Sequence, residues 1–156
     1  MSPCLRGVSL LFLAVSPCAS GCSDGTPDRV REEPDPGPRL YTAYCSPCHG
    51  VDGAGTPNGP PPLLDSPWVA GSADRLVRIV LHGVHGSLRV ADKVYDLEMP
   101  AFGPVLDDAK LSSLLGFARR QFASAGPVGT DAVRRVREQT AGRDTYWTAA
   151  ELLEVP

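Results

Sequence analysis

The chain has few aromatic side chains and no long run of basic residues. Phe, Trp and Tyr together make up 6% of its 156 residues. A domain this poor in aromatics has a small core, so a bound prosthetic group would add useful apolar contact area. The net charge is −3, and no basic patch is present that would attract a phosphate backbone. The composition therefore indicates one small, mildly acidic domain with no nucleic-acid partner.

The alternating pattern of a β-strand is also absent, whereas glycine and proline are abundant at 16 residues each. Apolar residues recur instead at helical spacing, between polar N-caps and glycine stops, over residues 72–82 and 107–122. Shorter helical segments are expected at 38–44, 130–139 and 148–153. We therefore predict an all-α fold of three to five helices joined by long loops.

Residues 1–22 carry the features of an export signal. Arg6 precedes an apolar run over 7–15 that is too short to cross a bilayer, and three small residues follow at 19–21. Cys22 comes directly after them, as in the lipobox of bacterial lipoproteins, where the cysteine is lipidated after cleavage. We expect a lipid-anchored protein of the periplasm or cell exterior. Plain secretion and an uncleaved anchor are the alternatives.

Three further regions follow this signal. Residues 23–38 lack apolar periodicity and are rich in Pro, Asp and Glu, which predicts a flexible tether. Residues 39–125 hold the main helical pattern and are expected to form the folded domain. Residues 126–156 are predicted to form a helical extension. The sequence leaves open whether that extension packs on the domain or docks to a partner.

The motif Cys45-Ser46-Pro47-Cys48-His49 is the strongest functional signal. CxxCH is the pattern of covalent haem attachment, because thiols three positions apart lie on one side of a helical turn and can each form a thioether with a haem vinyl group. A thioredoxin-like pair would need a βαβ context, a zinc site would need a second Cys/His pair, and a CxxC disulfide is strained. We predict one covalent haem c, with His49 as a ligand of its iron.

The second axial ligand must come from elsewhere in the chain. Met99 is the only methionine after the signal segment, and it lies in a proline-braced loop far enough downstream to reach the opposite side of the haem. A buried methionine is usually a core residue, but a haem on His49 makes the ligand role the stronger interpretation. We predict Met99 as the second ligand, with His82 and His85 as the alternatives.

Beyond the motif, the chain resembles the monohaem class I cytochromes c from about residue 37 to residue 125. Gly37 and Tyr41 lie eight and four residues before Cys45, where that family has the glycine and the aromatic residue of its first helix. Phe117 corresponds to the aromatic residue of the last helix that packs against them. The resemblance implies a class I cytochrome c fold wrapped around a single haem.

The resemblance also implies further contacts to the haem and its ligand. Pro61 corresponds to the proline whose carbonyl accepts the Nδ1–H of the haem histidine, with Pro62 as the alternative, and this bond would fix the imidazole tautomer. Trp68, Tyr95 and Arg78 are candidates for contacting the haem or its propionates. Plain packing, or a solvated helix face for Arg78, remains open for these three.

A narrower resemblance is to cytochrome domains associated with bacterial quinoprotein and sugar-type dehydrogenases. It rests on loop strings such as PPLLDSPWVAG, EMPAFG and the tail PVGTDAVRRVR. It implies an exported electron carrier, not itself an enzyme, that relays single electrons from a dehydrogenase donor to a cytochrome or oxidase acceptor. The alternatives are a haem enzyme or gas-binding sensor with a displaceable sixth ligand, and a non-haem thiol protein.

Overall fold

A computed structural model describes residues 34–156, and these residues belong to one compact unit. The predicted signal segment at 1–22, the lipidation site Cys22 and most of the predicted tether lie outside the described residues. Within residues 34–156, no helix is long and apolar enough to cross a membrane.

The described residues form helices joined by long loops, which confirms the mostly helical fold class. Two one-turn helices raise the number of helices above the three to five that the sequence predicts, because the sequence pattern does not resolve single turns. The elements in chain order are α1 (Gly37–Tyr44), α2 (Ser46–His49), α3 (Pro67–Ala70), α4 (Ala73–His82), β1 (Ser87–Val90), β2 (Lys93–Asp96), α5 (Asp108–Ala123), α6 (Thr130–Gln139) and α7 (Ala149–Leu153).

Helices α1 and α5 cross at a glycine. A Cβ atom on Gly37 would lie 2.6 Å from the backbone oxygen of Ser113 and 2.8 Å from Cβ of Phe117, so only glycine allows this approach. One turn further on, the Tyr41 ring packs on Phe117 with 5.5 Å between ring centroids. The expected contact between the first helix and the last helix of the domain is therefore present. It holds α1, which leads directly into the CxxCH motif, against α5.

A short hairpin stands where the sequence predicts an irregular loop. Strands β1 and β2 pair antiparallel, with Leu88 opposite Tyr95, and the turn between them places Ala91 at a φ of +50°. The prediction of no strand was wrong here. Strand β1 alternates exposed and more buried side chains but has only four residues, and in β2 only Tyr95 is partly buried. The period-two signal of a half-buried strand is therefore too short to stand out in the sequence.

The C-terminal extension packs on the rest of the described chain. Val133 and Val136 of α6 are fully buried against α4 and α5, and Leu152 of α7 is fully buried beside α4. Helix α7 begins with a capping box in which Thr148 and Glu151 exchange hydrogen bonds. Of the two arrangements that the sequence left open, packing on the domain is the one observed.

Candidate haem site

The CxxCH motif forms a single helical turn at the end of α1. Cys45 lies at the junction of α1 and α2, and the His49 amide donates to its carbonyl at 2.9 Å. Cys45 is half-buried, Cys48 is exposed and His49 is buried. All three residues line one cavity. The turn therefore brings two thiols and one imidazole to the same wall of that cavity.

The imidazole of His49 is held in one tautomer. Its Nδ1 lies 2.9 Å from the carbonyl oxygen of Pro61, and because a carbonyl only accepts hydrogen bonds, Nδ1 carries the proton. Nε2 is then left with a free lone pair, which is the form that binds a metal. Burial lowers the pKa of His49 and the Pro61 carbonyl opposes that shift. Of the two prolines that the sequence left open, Pro61 is the acceptor.

The loop that carries Pro61 is fastened to the motif and to α1. Gly55 donates its amide hydrogen to the His49 carbonyl at 2.8 Å, and the Tyr41 hydroxyl donates to the Gly50 carbonyl at 2.5 Å. Burial, followed by nearby Cys45 and Asp52, raises the pKa of Tyr41 to about 12. The hydroxyl therefore stays protonated and keeps donating. These bonds hold the backbone on both sides of His49.

The cavity beside His49 is apolar. It has a volume of about 260 Å³. Burial, reinforced by Cys48, raises the pKa of the Cys45 thiol to about 12, so this wall disfavours a thiolate but accepts an uncharged thioether. The helical walls consist of side chains that sequence patterning assigns to the core: Leu76, Ile79 and Val80 of α4, and Leu114, Leu115 and Ala118 of α5.

Met99 lines the same cavity as His49, whereas His82 and His85 do not. His82 Nε2 is hydrogen-bonded to the Thr140 hydroxyl at 2.7 Å, and His85 is exposed. Among the three candidates for a second ligand, Met99 is therefore the one that the fold brings to the cavity. Its thioether is a ligand that haem iron accepts.

Trp68 and Tyr95 also line the cavity, and Arg78 does not. The Trp68 indole N–H donates to the Arg89 carbonyl at 2.8 Å, so its one donor is used to fix the hairpin. Arg78 donates instead to the side chain of Gln139 at 3.0 Å. The structure thus brings two of these three sequence candidates to the cavity. The third lies on the surface that the C-terminal extension covers.

The apolar wall residues were not predicted as site residues, although their signal was present. A helical stripe of Leu, Ile and Val predicts burial without telling a protein core from a cofactor pocket. Val84 was missed for a different reason. It contributes to the cavity wall from a connecting segment after α4 that has no periodic pattern.

The residues at this cavity fit a covalently attached haem. Two thiols lie one turn apart, an imidazole presents an unprotonated Nε2, a thioether stands on the same cavity, and the walls are apolar. This donor set on a mostly helical fold defines a c-type cytochrome.

Comparison with known families agrees with that assignment. The family described as "Cytochrome C oxidase, cbb3-type, subunit III" matches residues 32–117, more than half of the chain. The chain belongs to this cytochrome c family. Its members bind covalently attached haem c and carry electrons as subunits without a catalytic reaction of their own. The predicted mostly helical cytochrome c fold, the haem c cofactor and the assignment as an electron carrier are confirmed.

Individual relatives include two bacterial subunits. The fructose dehydrogenase cytochrome subunit of Gluconobacter japonicus is 33% identical over 109 residues, which cover 65% of this chain and 22% of that protein. The cbb3-type cytochrome c oxidase subunit FixP of Azorhizobium caulinodans is 30% identical over 99 residues, covering 63% of this chain and 32% of FixP. The chain therefore spans only a third or less of these relatives.

A solved structure with partial similarity is that of the c-type cytochrome XoxG from Methylobacterium extorquens AM1. It is 22% identical, with a TM-score of 0.36, and the match covers 66% of this chain and 64% of that one.

Proposed function

We propose that this electron-transfer cytochrome relays single electrons outside the cytoplasm, with its iron held between His49 and Met99. The observation that carries the proposal is that Cys45, Cys48, His49 and Met99 all line one apolar cavity. Haem c, when bound, supplies an iron that accepts one electron in passing from Fe(III) to Fe(II) and releases it in the reverse step.

The residues around the cavity suit relay better than turnover. His49 and Met99 would both ligate the iron, which would leave it no position for a substrate. A thioether is a poor donor that favours Fe(II), and the apolar walls have the same effect because they exclude water. Pro61 keeps the proton on Nδ1 of His49, so the imidazole does not need to change its protonation as an electron arrives and leaves.

The proposed partners follow from the relatives. One relative is the cytochrome subunit of a dehydrogenase and the other is a subunit of an oxidase. We infer that a reduced dehydrogenase donates the electron and that an oxidised cytochrome or oxidase accepts it. Cys48 is exposed, and Val51 just after the motif is 82% exposed. This edge therefore offers a small apolar patch for a weak, short-lived encounter.

Substitution of Met99 tests the ligand assignment. We expect Met99→Ala to keep covalent haem, to lose the sulfur-to-iron charge-transfer band of the oxidised spectrum, to lower the reduction potential and to bind CO. His85→Ala serves as the control and should leave the spectrum unchanged, because His85 does not line the cavity. A Met99→Ala protein that still excludes CO would contradict the assignment. Rapid CO binding by the unmodified protein would favour a gas-binding role instead.

Export and anchoring are tested at Cys22. The sequence before it resembles a lipoprotein signal, which supports a lipid anchor that holds the domain at a membrane surface of the periplasm or cell exterior. We expect Cys22→Ser to release haem-containing protein from the membrane fraction, and Cys18→Ser to leave it there. A Cys22→Ser protein that still sediments with membranes would argue for another anchor.

A further inference from the structure

We propose that residues 143–148 of the C-terminal extension, called the tail below, are a positioning element for Met99. The strength of the bond between Met99 and the iron then depends on this tail. The inference rests on the ligand role proposed for Met99 above. It assigns a function to a segment that the chemistry of the site does not otherwise use.

Three separate stretches of backbone meet at Val84. The Met99 amide donates to the Val84 carbonyl at 2.8 Å, and the Val84 amide donates back to Met99 at 3.1 Å. On the other side, the Trp147 amide donates to the Gly83 carbonyl at 3.1 Å and the His85 amide donates to Trp147 at 2.9 Å. The tail and the segment around Met99 therefore bond to opposite sides of the same three-residue stretch, 83–85. A shift of the tail would therefore displace the segment that carries Met99, and the reverse also holds.

Side chains reinforce this backbone contact. Gly83 has a φ of +76°, and a Cβ atom placed there would overlap the Met99 carbonyl oxygen on one side and lie 2.6 Å from the Tyr146 ring on the other. The carboxylate of Glu98, the residue before Met99, raises the pKa of the Tyr146 phenol. Trp147 and Met99 pack against one buried apolar cluster. The tail thus touches the ligand segment through both backbone and side chains.

One arginine shapes the tail for this contact. The Arg143 guanidinium donates to the carbonyls of Thr145 at 3.0 Å and Tyr146 at 2.8 Å. It also lies 3.5 Å from the centre of the Trp147 ring and pairs with Glu151 at 2.9 Å. A forked, planar donor can satisfy these partners together. Without Arg143 the turn that delivers Trp147 to Gly83 would lose its internal support.

The extension also holds the loop on the other side of Met99. Arg137 of α6 donates to the Gly103 carbonyl at 3.0 Å and to the Leu106 carbonyl at 2.7 Å, and it pairs with Asp108 at 2.7 Å. The segment from Met99 to α5 is therefore held directly by Arg137 at its α5 end, and at its Met99 end through Val84, whose neighbours bond to Trp147. A ligand segment held at two points opens less often, and an outside ligand can reach the iron only when it opens.

The test is Arg143→Ala in the haem-loaded protein, with Arg134→Ala as the matched control. Arg134 is an exposed arginine of α6 whose ion pair is with Asp131 in its own helix. We expect Arg143→Ala to bind imidazole at the oxidised iron about tenfold faster than the unmodified protein, since hydrogen bonds of ordinary strength are lost from the closed state. The sulfur-to-iron band should also disappear at a lower temperature than the helical circular dichroism. Arg134→Ala should match the unmodified protein in both measurements.

A purely structural role for Arg143 predicts a different result. In that case the band and the helical signal would be lost together, at one lowered temperature, and this outcome would overturn the proposal. Arg143→Lys provides a milder variant that keeps the charge but not the fork. It should bind imidazole at an intermediate rate, and a rate equal to that of the unmodified protein would also count against the positioning role.

Met99→Ala, measured in parallel, separates the ligand role of Met99 from the positioning role of the tail. If Met99→Ala has the same spectrum as the unmodified protein, the proposed ligand role fails. If Met99→Ala loses the band while Arg143→Ala excludes imidazole as well as the unmodified protein does, the ligand role stands and only the role of the tail fails.

Discussion

The two sides of the cavity are held by different kinds of contact. On the His49 side the supports are local: Pro61 lies 12 residues downstream, and the Tyr41–Gly50 bond spans 9 residues. On the Met99 side the supports come from Val84 and then from Trp147, which lies in the C-terminal extension. A local arrangement can be encoded in one motif. The other side exists only once the whole domain has folded, so it is the easier side to loosen.

The largest effect is expected where the local side is broken. Cys48→Ala removes one of the two thioethers, and we expect most of the protein to lose covalent haem, as measured by haem staining after denaturing electrophoresis and by mass spectrometry. Ser46→Ala, between the two cysteines, removes only the hydrogen bond from Ser46 to Thr42 and should stain normally. Normal staining of Cys48→Ala would contradict the haem-attachment site.

A second prediction separates the binding of Met99 to the iron from the overall stability of the fold. Gly83→Ala forces a left-handed residue, at a cost of roughly 1–3 kcal/mol, and also pushes a methyl group against Met99 and Tyr146. Gly142 likewise has a positive φ, at +86°, but no atom lies within 4 Å of a Cβ placed there. We expect both Ala variants to melt earlier. Only Gly83→Ala should lose the sulfur-to-iron band at room temperature, and equal spectra for the two would show that the contact does not control Met99.

The same contrast explains what the sequence could predict. The CxxCH turn, the Pro61 bond and the Gly37–Phe117 crossing are local or tied to a family pattern, so residue spacing was enough to find them. The strands of the hairpin are too short to leave a clear alternating signal. Val84 and Trp147 are brought together by backbone hydrogen bonds. Those bonds are almost independent of side-chain type, so no pattern of residues predicts them.

A smaller effect is expected at the support of the His49 side. Tyr41→Phe removes the hydroxyl that donates to Gly50, and we expect the free energy of unfolding to fall by about 1 kcal/mol while the spectrum stays the same. Tyr44→Phe is the matched control. Its ring packs edge-on against Phe102, and within residues 34–156 its hydroxyl makes no hydrogen bond. Denaturant unfolding measures the stability of both variants. An equal fall in the free energy of unfolding for the two would show that the bond to Gly50 does not stabilise the fold.

The smallest effect is expected at the outermost support of the Met99 side, and it depends on pH. The Thr148 backbone N–H, and then Arg143, lower the pKa of Glu151 to about 2 from an ordinary value of 4.5. A depressed pKa means that the carboxylate stabilises the folded tail above about pH 4.5 and that this contribution is lost as the pH falls toward 2. We therefore expect the sulfur-to-iron band of Glu151→Gln to disappear at a slightly lower temperature than that of the unmodified protein at pH 6, with the difference shrinking as the pH falls toward 2. Glu154→Gln, which changes a nearby carboxylate outside the capping box, should follow the unmodified protein throughout. If the difference between Glu151→Gln and the unmodified protein does not depend on pH, the carboxylate does not act through its charge, and Arg143 must support the tail by its contacts with Thr145, Tyr146 and Trp147 alone.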